Sequence, residues 1–343
     1  MTAIAHTQLL MRQLDVLPLG KLLLVHPPAQ QATTLQQAGY PTLSWHLHAS
    51  DAYQSDLSED ILAPFLAKPV AVDAVVVNVP KEKQLVHMLM ANLAATLPLQ
   101  TPVFLVGHKD SGIQSYIKSP FIGYSANEKL ASGNHCQLLR CTLETAQAFN
   151  PEDYLSSYPL ATEFGSITIF NYPGVFSQNR LDGGSELLLR ALYQQPVSNF
   201  SGDILDFACG AGVIAAALQH RVAAKSITGI DINTLALAAA ERTLAPLAEH
   251  VTLLASDGLA ALKQQTTVKF DCIVTNPPFH AGRQTDYAIT QNFIRQCRQY
   301  LKPGGKLFLV GNSFLPYREV LATTFKQVHV LADNRKFTVW AAS

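Results

Sequence analysis

The roughly 18 consecutive apolar residues that a membrane-spanning helix needs occur nowhere in this 343-residue chain. The stretch from Met1 to Leu17 also lacks a basic segment followed by an apolar core, so no signal peptide is expected. Cysteine is scarce. Cys136, Cys141, Cys209, Cys272 and Cys297 are odd in number and show no C-x-x-C spacing. That excludes a disulfide framework, gives no expectation of a bound metal, and fits free thiols in a reducing, cytoplasmic compartment. Charge excess is absent too: 25 Lys and Arg balance 25 Asp and Glu. A wholly basic nucleic-acid-binding surface is thereby excluded, although the balance is uneven along the chain. Residues 1–170 hold nine basic against thirteen acidic side chains, and residues 171–343 hold sixteen against twelve. The second half is the half suited to phosphate contact.

What is present is concentrated in that half. The run Phe270-Asp271-Cys272-Ile273-Val274-Thr275 reads as a buried strand, and Asn276-Pro277-Pro278-Phe279 follows it directly. Prolines lock φ and carry no N–H, so this segment offers carbonyl acceptors without competing donors. Phe279 adds a flat apolar face for a planar group. The Asn276 oxygen and the Pro277 carbonyl can accept both N–H bonds of a planar exocyclic amine. A Pro-Pro turn closing a buried strand is the bland alternative for the tetrapeptide in isolation.

Upstream, Asp203-Ile204-Leu205-Asp206-Phe207 reads as a strand entering Ala208-Cys209-Gly210-Ala211-Gly212, with a helix expected from Val213. Gly210 and Gly212 allow a tight turn and close approach to a ligand. Asp206 is placed to meet a cationic amine. A second strand, Ser226–Ile230, ends in Asp231, 21 residues after Gly210, where nucleoside-binding folds hold two ribose hydroxyls. A third, Val251–Ala255, ends in Ser256-Asp257. Ligands of open α/β sheets bind at such carboxyl ends. The G-x-G-x-x-A pattern also admits a nicotinamide enzyme. Asp206 lies too near the expected pyrophosphate for that reading, and no hydride-transfer acid or Tyr–Lys pair accompanies it.

The two halves echo one another. Ala74–Lys81 aligns with Cys272–Phe279, and Val103–His108 with Leu307–Asn312, at offsets drifting only from 198 to 204. Each pair is followed by an expected helix, ending near Phe121 and Phe325, and a final strand pair. In the first copy Val79 replaces the first proline, Pro80 keeps the second, and Lys81 replaces the ring. Its early strand Leu22–His26 runs into Pro27-Pro28-Ala29-Gln30 instead of a glycine turn. The predicted fold is α/β: two tandem doubly wound Rossmann-like domains, 1–160 degenerate and serving support or substrate holding, 165–343 catalytic.

Together these motifs resemble class I S-adenosylmethionine-dependent methyltransferases. Asn-Pro-Pro-Phe-His with Gly282, the stretch Tyr172–Ser177, and Leu181-Asp182-Gly183-Gly184-Ser185-Glu186-Leu187-Leu188 are similar to the small-subunit ribosomal RNA guanine-N2 methyltransferase C family. The resemblance implies S-adenosylmethionine as cofactor, held by Asp206, Gly210, Gly212, Asp231, Ile232, Asp257, Gly258 and Asn276. It implies catalysis by Asn276, Pro277 and Phe279 and a seven-stranded sheet completed by a terminal hairpin. His280 and Arg283, by their position after the motif, are candidate substrate contacts, with a turn residue and solvated surface as the bland alternatives. The implied substrate is guanine 1207 of 16S ribosomal RNA, within the small ribosomal subunit, with no membrane and no metal involved. Enzymes acting on adenine N6 in DNA or glutamine amides in proteins share Asn-Pro-Pro-aromatic and remain rivals, as does a non-catalytic assembly factor. Asp182 is open to a structural or a functional reading.

Overall fold

Strands that are apolar at every position can be satisfied only between two layers of helices, and runs such as Leu22–Val25 and Ala74–Val77 are of this kind. The computed structural model describes residues 2–50, 60–163, 165–221, 224–263, 268–278 and 284–343. It divides into two compact units, 1–155 and 156–343.

In the first unit the strands are β1 (Leu22–Val25), β2 (Thr42–His46), β3 (Ile61–Leu62), β4 (Ala74–Asn78), β5 (Pro102–His108), β6 (Glu128–Gly133) and β7 (Cys136–Thr142). They form one sheet in the order β3-β2-β1-β4-β5-β7-β6. The second unit opens with a hairpin, β8 (Ser156–Thr162) and β9 (Gly165–Asn171). Its main strands are β10 (Asp203–Phe207), β11 (Ser226–Asp231), β12 (Val251–Ala255), β13 (Phe270–Thr275), β14 (Leu301–Asn312), β15 (Val328–Asp333) and β16 (Phe337–Ala342). Their order, β12-β11-β10-β13-β14-β16-β15, is that of the first sheet. In both, five parallel strands are closed by an antiparallel pair.

The repeat extends to individual registers. Val75 pairs with Val103 as Ile273 pairs with Leu307, which reproduces the offsets of 198 and 204. The register shift between Lys129 and Ala131 in β6 recurs between Val330 and Ala332 in β15. The residue after the first strand of each seven-stranded sheet is left-handed, His26 with φ 49° and Ala208 with φ 56°. One expectation is corrected. Before Phe121 the first unit has two 3-10 turns, Lys109–Ser111 and Ile113–Ile117, where the second has a helix, Tyr317–Thr324. Gly112 is left-handed there, and the Ser111 and Ser115 hydroxyls donate to the carbonyls of His108 and Gly112, stabilising tight turns over a helix.

Each unit has its own core. In the second, Leu205, Ile273, Leu307 and Leu309 of the sheet meet Phe293, Tyr317 and Leu321 of the covering helices. Trp340 is core, edge-on to Tyr317. All five cysteines are buried free thiols. No described helix is long and apolar enough to cross a membrane.

At the amino ends of β10 and β13, Lys302 Nζ donates to Asp203 Oδ2 and Asp271 Oδ2, both at 2.7 Å. The Lys302 bond, with help from Ser226 and Lys225, holds the Asp203 carboxyl down at about 2 against an ordinary 3.8. Its stabilisation is therefore complete above about pH 4 and is lost as pH falls through 2. Lys302→Met is expected to cost about 1–2 kcal/mol at neutral pH, solvent screening of the part-exposed lysine included. Urea unfolding at pH 7 and pH 2 checks this: the gap between variant and wild type should close at the lower pH.

Candidate functional site

β10 and β13 are neighbours, and the chain leaves them in opposite directions, to β11 on one side and to β14 on the other. This is the topological switch point, where a crevice opens at the carboxyl ends of the strands. The sequence candidates that fall among the described residues stand at or near the carboxyl ends of β10, β11, β12 and β13.

Asp206 lies within β10, opposite Gly229 and Val274, one residue before the strand's end. It is fully buried. Its Oδ2 accepts the Ala215 N–H at 3.1 Å, at the start of the Val213–Arg221 helix, and its Oδ1 has no partner among the described residues. Burial pushes this carboxyl up to about 8, with the nearby Asp231 charge adding to the rise and the Ala215 N–H opposing it. Asp231 ends β11. Its Oδ2 accepts the Gly210 N–H at 2.8 Å and its Oδ1 the Asn233 N–H at 2.9 Å. The acid therefore ties the glycine loop to the strand tip. A carboxylate has about four acceptor positions, so both oxygens keep capacity for further donors. Burial raises its pKa, and the bonds from Asn233, Gly210 and Ile232 oppose the rise.

Gly210 has φ 54° and no heavy atom within 4 Å of where a Cβ would stand. A side chain there would be strained and would occupy the open face beside Asp231. Gly212 closes the turn through its N–H to Cys209 O at 2.9 Å. Ile232 follows Asp231 and is half-buried. Beyond β12, Asp257 is exposed and Gly258 half-buried. Ser256 links this tip to the next, its N–H donating to Asp231 O at 2.9 Å.

Asn276 follows β13. Thr275 Oγ1, buried beneath it, donates to Phe207 O at 2.9 Å and joins the ends of β13 and β10. Asn276 Nδ2 donates to Asp182 Oδ2 at 3.0 Å and Ser185 Oγ at 2.8 Å. Its Oδ1 is buried with no partner among the described residues. Pro277 is buried and Pro278 exposed. Phe279, His280 and Arg283 lie outside the described residues. Asp182 also caps the Gly183–Tyr193 helix, its Oδ2 accepting from Gly184 N at 2.9 Å and Ser185 N at 3.0 Å. The helix begins at Gly183, directly after this cap. Sequence reading missed the link from Asp182 and Ser185 to Asn276. A capping Asp-Gly-Gly-Ser marks a helix start and carries no sign of a partner 94 residues away.

In the loop after β9, Val175 is buried and Phe176 is 64% exposed. Among the described residues no group of three His, Cys, Asp or Glu could hold a metal.

The first unit preserves the frame and changes the chemistry. By register, Leu24 stands where the second unit has Asp206, and His46 where it has Asp231. Asn78 stands where it has Asn276, but its amide is closed at both ends. Gln31 Nε2 donates to Oδ1 at 3.2 Å, Nδ2 donates to Gln31 Oε1 at 2.8 Å, and His6 Nδ1 lies 3.3 Å from Oδ1.

Comparison with known proteins places the chain among methyltransferases. The model of the methyltransferase small domain matches residues 166–341, and that of its N-terminal domain matches residues 7–158. Ribosomal RNA small subunit methyltransferase C of Hahella chejuensis is 36% identical over 329 residues, 94% of each chain. That of Pseudomonas syringae pv. syringae is 36% identical over 342 residues, 98% of each chain. The Shewanella baltica protein of the same name is 42% identical over 270 residues, 78% of this chain and 75% of its own. The solved T. thermophilus 16S rRNA N2 G1207 methyltransferase, in complex with AdoMet and guanosine, shares the fold: TM-score 0.83, 23% identity, 100% of this chain and 91% of that one.

Between pH 3.8 and 8 an unfolded chain has Asp206 ionised while the folded protein holds it protonated, so this group lowers stability as pH rises through that window. Asp206→Asn is expected to flatten that decline. Melting temperatures of the two proteins from pH 4 to 9 check it, with the variant gaining on wild type toward pH 8.

Proposed function

The chain belongs to the ribosomal RNA small subunit methyltransferase C family, and on that footing we propose that it methylates the exocyclic N2 amine of a guanine in 16S ribosomal RNA. S-adenosylmethionine is the donor. The target by likeness to the T. thermophilus enzyme is guanine 1207. The observation that carries the reading is the buried, unpartnered Oδ1 of Asn276 at the tip of β13, the strand next to the one that carries Asp206.

The residues present fit the cofactor. Asp206 offers an unpartnered buried carboxylate oxygen suited to an α-ammonium group. Asp231 has acceptor capacity left for ribose hydroxyls. Gly210 leaves open space where any other residue would place a Cβ. Ile232, Asp257, Gly258 and the backbone at Gly212 complete the proposed contacts with the nucleoside. When bound, the cofactor supplies a methyl group already activated by a sulfonium charge.

The protein's own part is orientation. The lone pair of a guanine N2 amine is delocalised into the ring, so the amine is a weak nucleophile. Asn276 Oδ1 accepts one N–H and the Pro277 carbonyl the other, which favours a pyramidal nitrogen and the positive charge that grows on it. These acceptors would hold that nitrogen toward the donor methyl, and the extra proton left on it after transfer would pass to water. Phe279 is proposed to stack on the base, with His280 and Arg283 contacting the RNA. A paired base cannot present its amine in this way, so the guanine is unpaired or extruded. The substrate is the RNA within the small ribosomal subunit, and the enzyme works in the cytoplasm. The first unit, with Leu24 and His46 in place of the two acids, supports the second or holds substrate.

Asn276→Ala is expected to lower turnover roughly a hundredfold or more, the scale of losing one preorganised polar contact at a reacting centre. Single-turnover transfer of labelled methyl measures it, and an unchanged rate would reject the role. Substrate choice is tested by side-by-side transfer to naked 16S RNA, small subunits, duplex DNA and a release factor. Labelling of guanine N2 in small subunits is the expected result. Label confined to DNA or protein would overturn the reading.

A further inference from the structure

An asparagine serves as an amine acceptor only if its amide is turned the right way, and a free amide can flip at little cost. We propose that Asp182 and Ser185 are positioning residues that lock the Asn276 amide with its oxygen toward the substrate. This rests on the reading of Asn276 given above.

The lock follows from the chemistry of the partners. An ionised carboxylate accepts hydrogen bonds and donates none. Asp182 Oδ2 lies 3.0 Å from the Asn276 amide, so the group facing it must be the NH2; reversed, two oxygens would confront each other. Ser185 Oγ, at 2.8 Å, takes the second Nδ2 hydrogen. With both amide hydrogens spoken for, Oδ1 is the one remaining polar atom of the side chain, and it is buried with no partner among the described residues. The charge of Asp182 also polarises the amide through its N–H, which strengthens Oδ1 as an acceptor. Asp182 is itself immobilised by the N–H groups of Gly184 and Ser185.

The small residue at 184 belongs to the same device. A Cβ there would press on Asp182 Oδ2 at 2.9 Å and come into contact with Asn276 Oδ1 at 3.4 Å. The first unit supplies the contrast. Asn78 is held by a neutral glutamine that closes its oxygen as well as its nitrogen, and there the same backbone position has no acceptor to offer.

Separating this role from the helix cap requires paired substitutions in the full chain. Asp182→Ser keeps a capping oxygen but ends one bond short of Asn276. Asp182→Asn keeps both the cap and the reach while losing the charge. Ser185→Ala leaves the cap bonds of Asp182 in place. For Asp182→Ser we expect kcat to fall about tenfold to a hundredfold, the usual cost of removing a partner that orients a reacting group. KM for RNA, calorimetric affinity for S-adenosylhomocysteine and melting temperature should stay near wild type. Asp182→Asn should recover part of the rate. Hydrogen exchange of the Asn276 side-chain amide, assigned by NMR of 15N-asparagine-labelled protein against Asn276→Ala, should quicken at least about tenfold in Asp182→Ser. Wild-type kcat and unaltered exchange in that variant would overturn the proposal. Should Asp182→Ser fail to fold, Ser185→Ala decides by the same two readouts. Should wild type transfer no methyl to RNA, the functional reading falls, and amide exchange still tests the lock.

Discussion

Burial of the parallel strands on both faces governs where anything else can happen. A strand such as Ile204–Phe207 or Ile273–Thr275 has no solvent-facing side, so polar groups along it must be satisfied locally or moved to its ends. Thr275 is satisfied locally, its hydroxyl donating to the carbonyl of Phe207. Asp231 and Asn276 stand at strand tips. The crossovers of β10 and β13 diverge, so those tips flank the switch point, the place where open α/β sheets bind their ligands. The site is a consequence of the sheet's topology. Asp231 and Asn276 follow the rule that polar groups move to strand ends, and Asp206, fully buried inside β10 with one oxygen unpartnered among the described residues, is the exception.

The duplicated frame shows how little separates a reactive site from an inert one. Strand order, the 198 and 204 offsets, the bulge before the last strand and the left-handed residue after the first are common to both seven-stranded sheets. The two asparagines at equivalent tips differ only in what surrounds them. Gln31 answers both ends of Asn78, an arrangement that leaves neither end of that amide without a partner. Asp182 and Ser185 answer one end of Asn276. A buried acceptor without a partner costs the fold on the order of 1–3 kcal/mol, and that cost persists where a ligand's donor repays it.

Periodicity and punctuation made most of the frame legible. Continuous apolar runs ending in Asp, Asn or Gly located β10, β11, β12 and β13, and the echo between Ala74–Lys81 and Cys272–Phe279 foretold two sheets of one topology. Local rivalry was harder to read: between Lys109 and Ile117 the hydroxyls of Ser111 and Ser115 and the left-handed Gly112 win tight turns from a segment whose counterpart is helical. Within the site, the acids could be placed from their own strands. The Asp182–Asn276 contact could not, because it depends on how a helix packed on β14 and β16 brings its amino end to the tip of β13. Nothing in either local sequence encodes that meeting.

Two aspartates of β10, three residues apart, make the difference between fold and function in one strand. Asp203 faces the amino end of the sheet, where Lys302, Lys225 and Ser226 donate to it, and its carboxyl is held at about 2. Its charge is matched within the chain, and stability is the result. Asp206 faces the other end, has one backbone N–H on one oxygen and none on the other, and is pushed up to about 8. An acid kept neutral by burial spares the empty protein a bare buried charge, although staying protonated costs stability as pH rises toward 8. A cationic group arriving beside it would draw off the proton and create the missing half of an ion pair where little water competes. The same residue type thus acts as ballast at one end of the strand and as a receptor at the other. What decides between them is whether the protein itself supplies the cation.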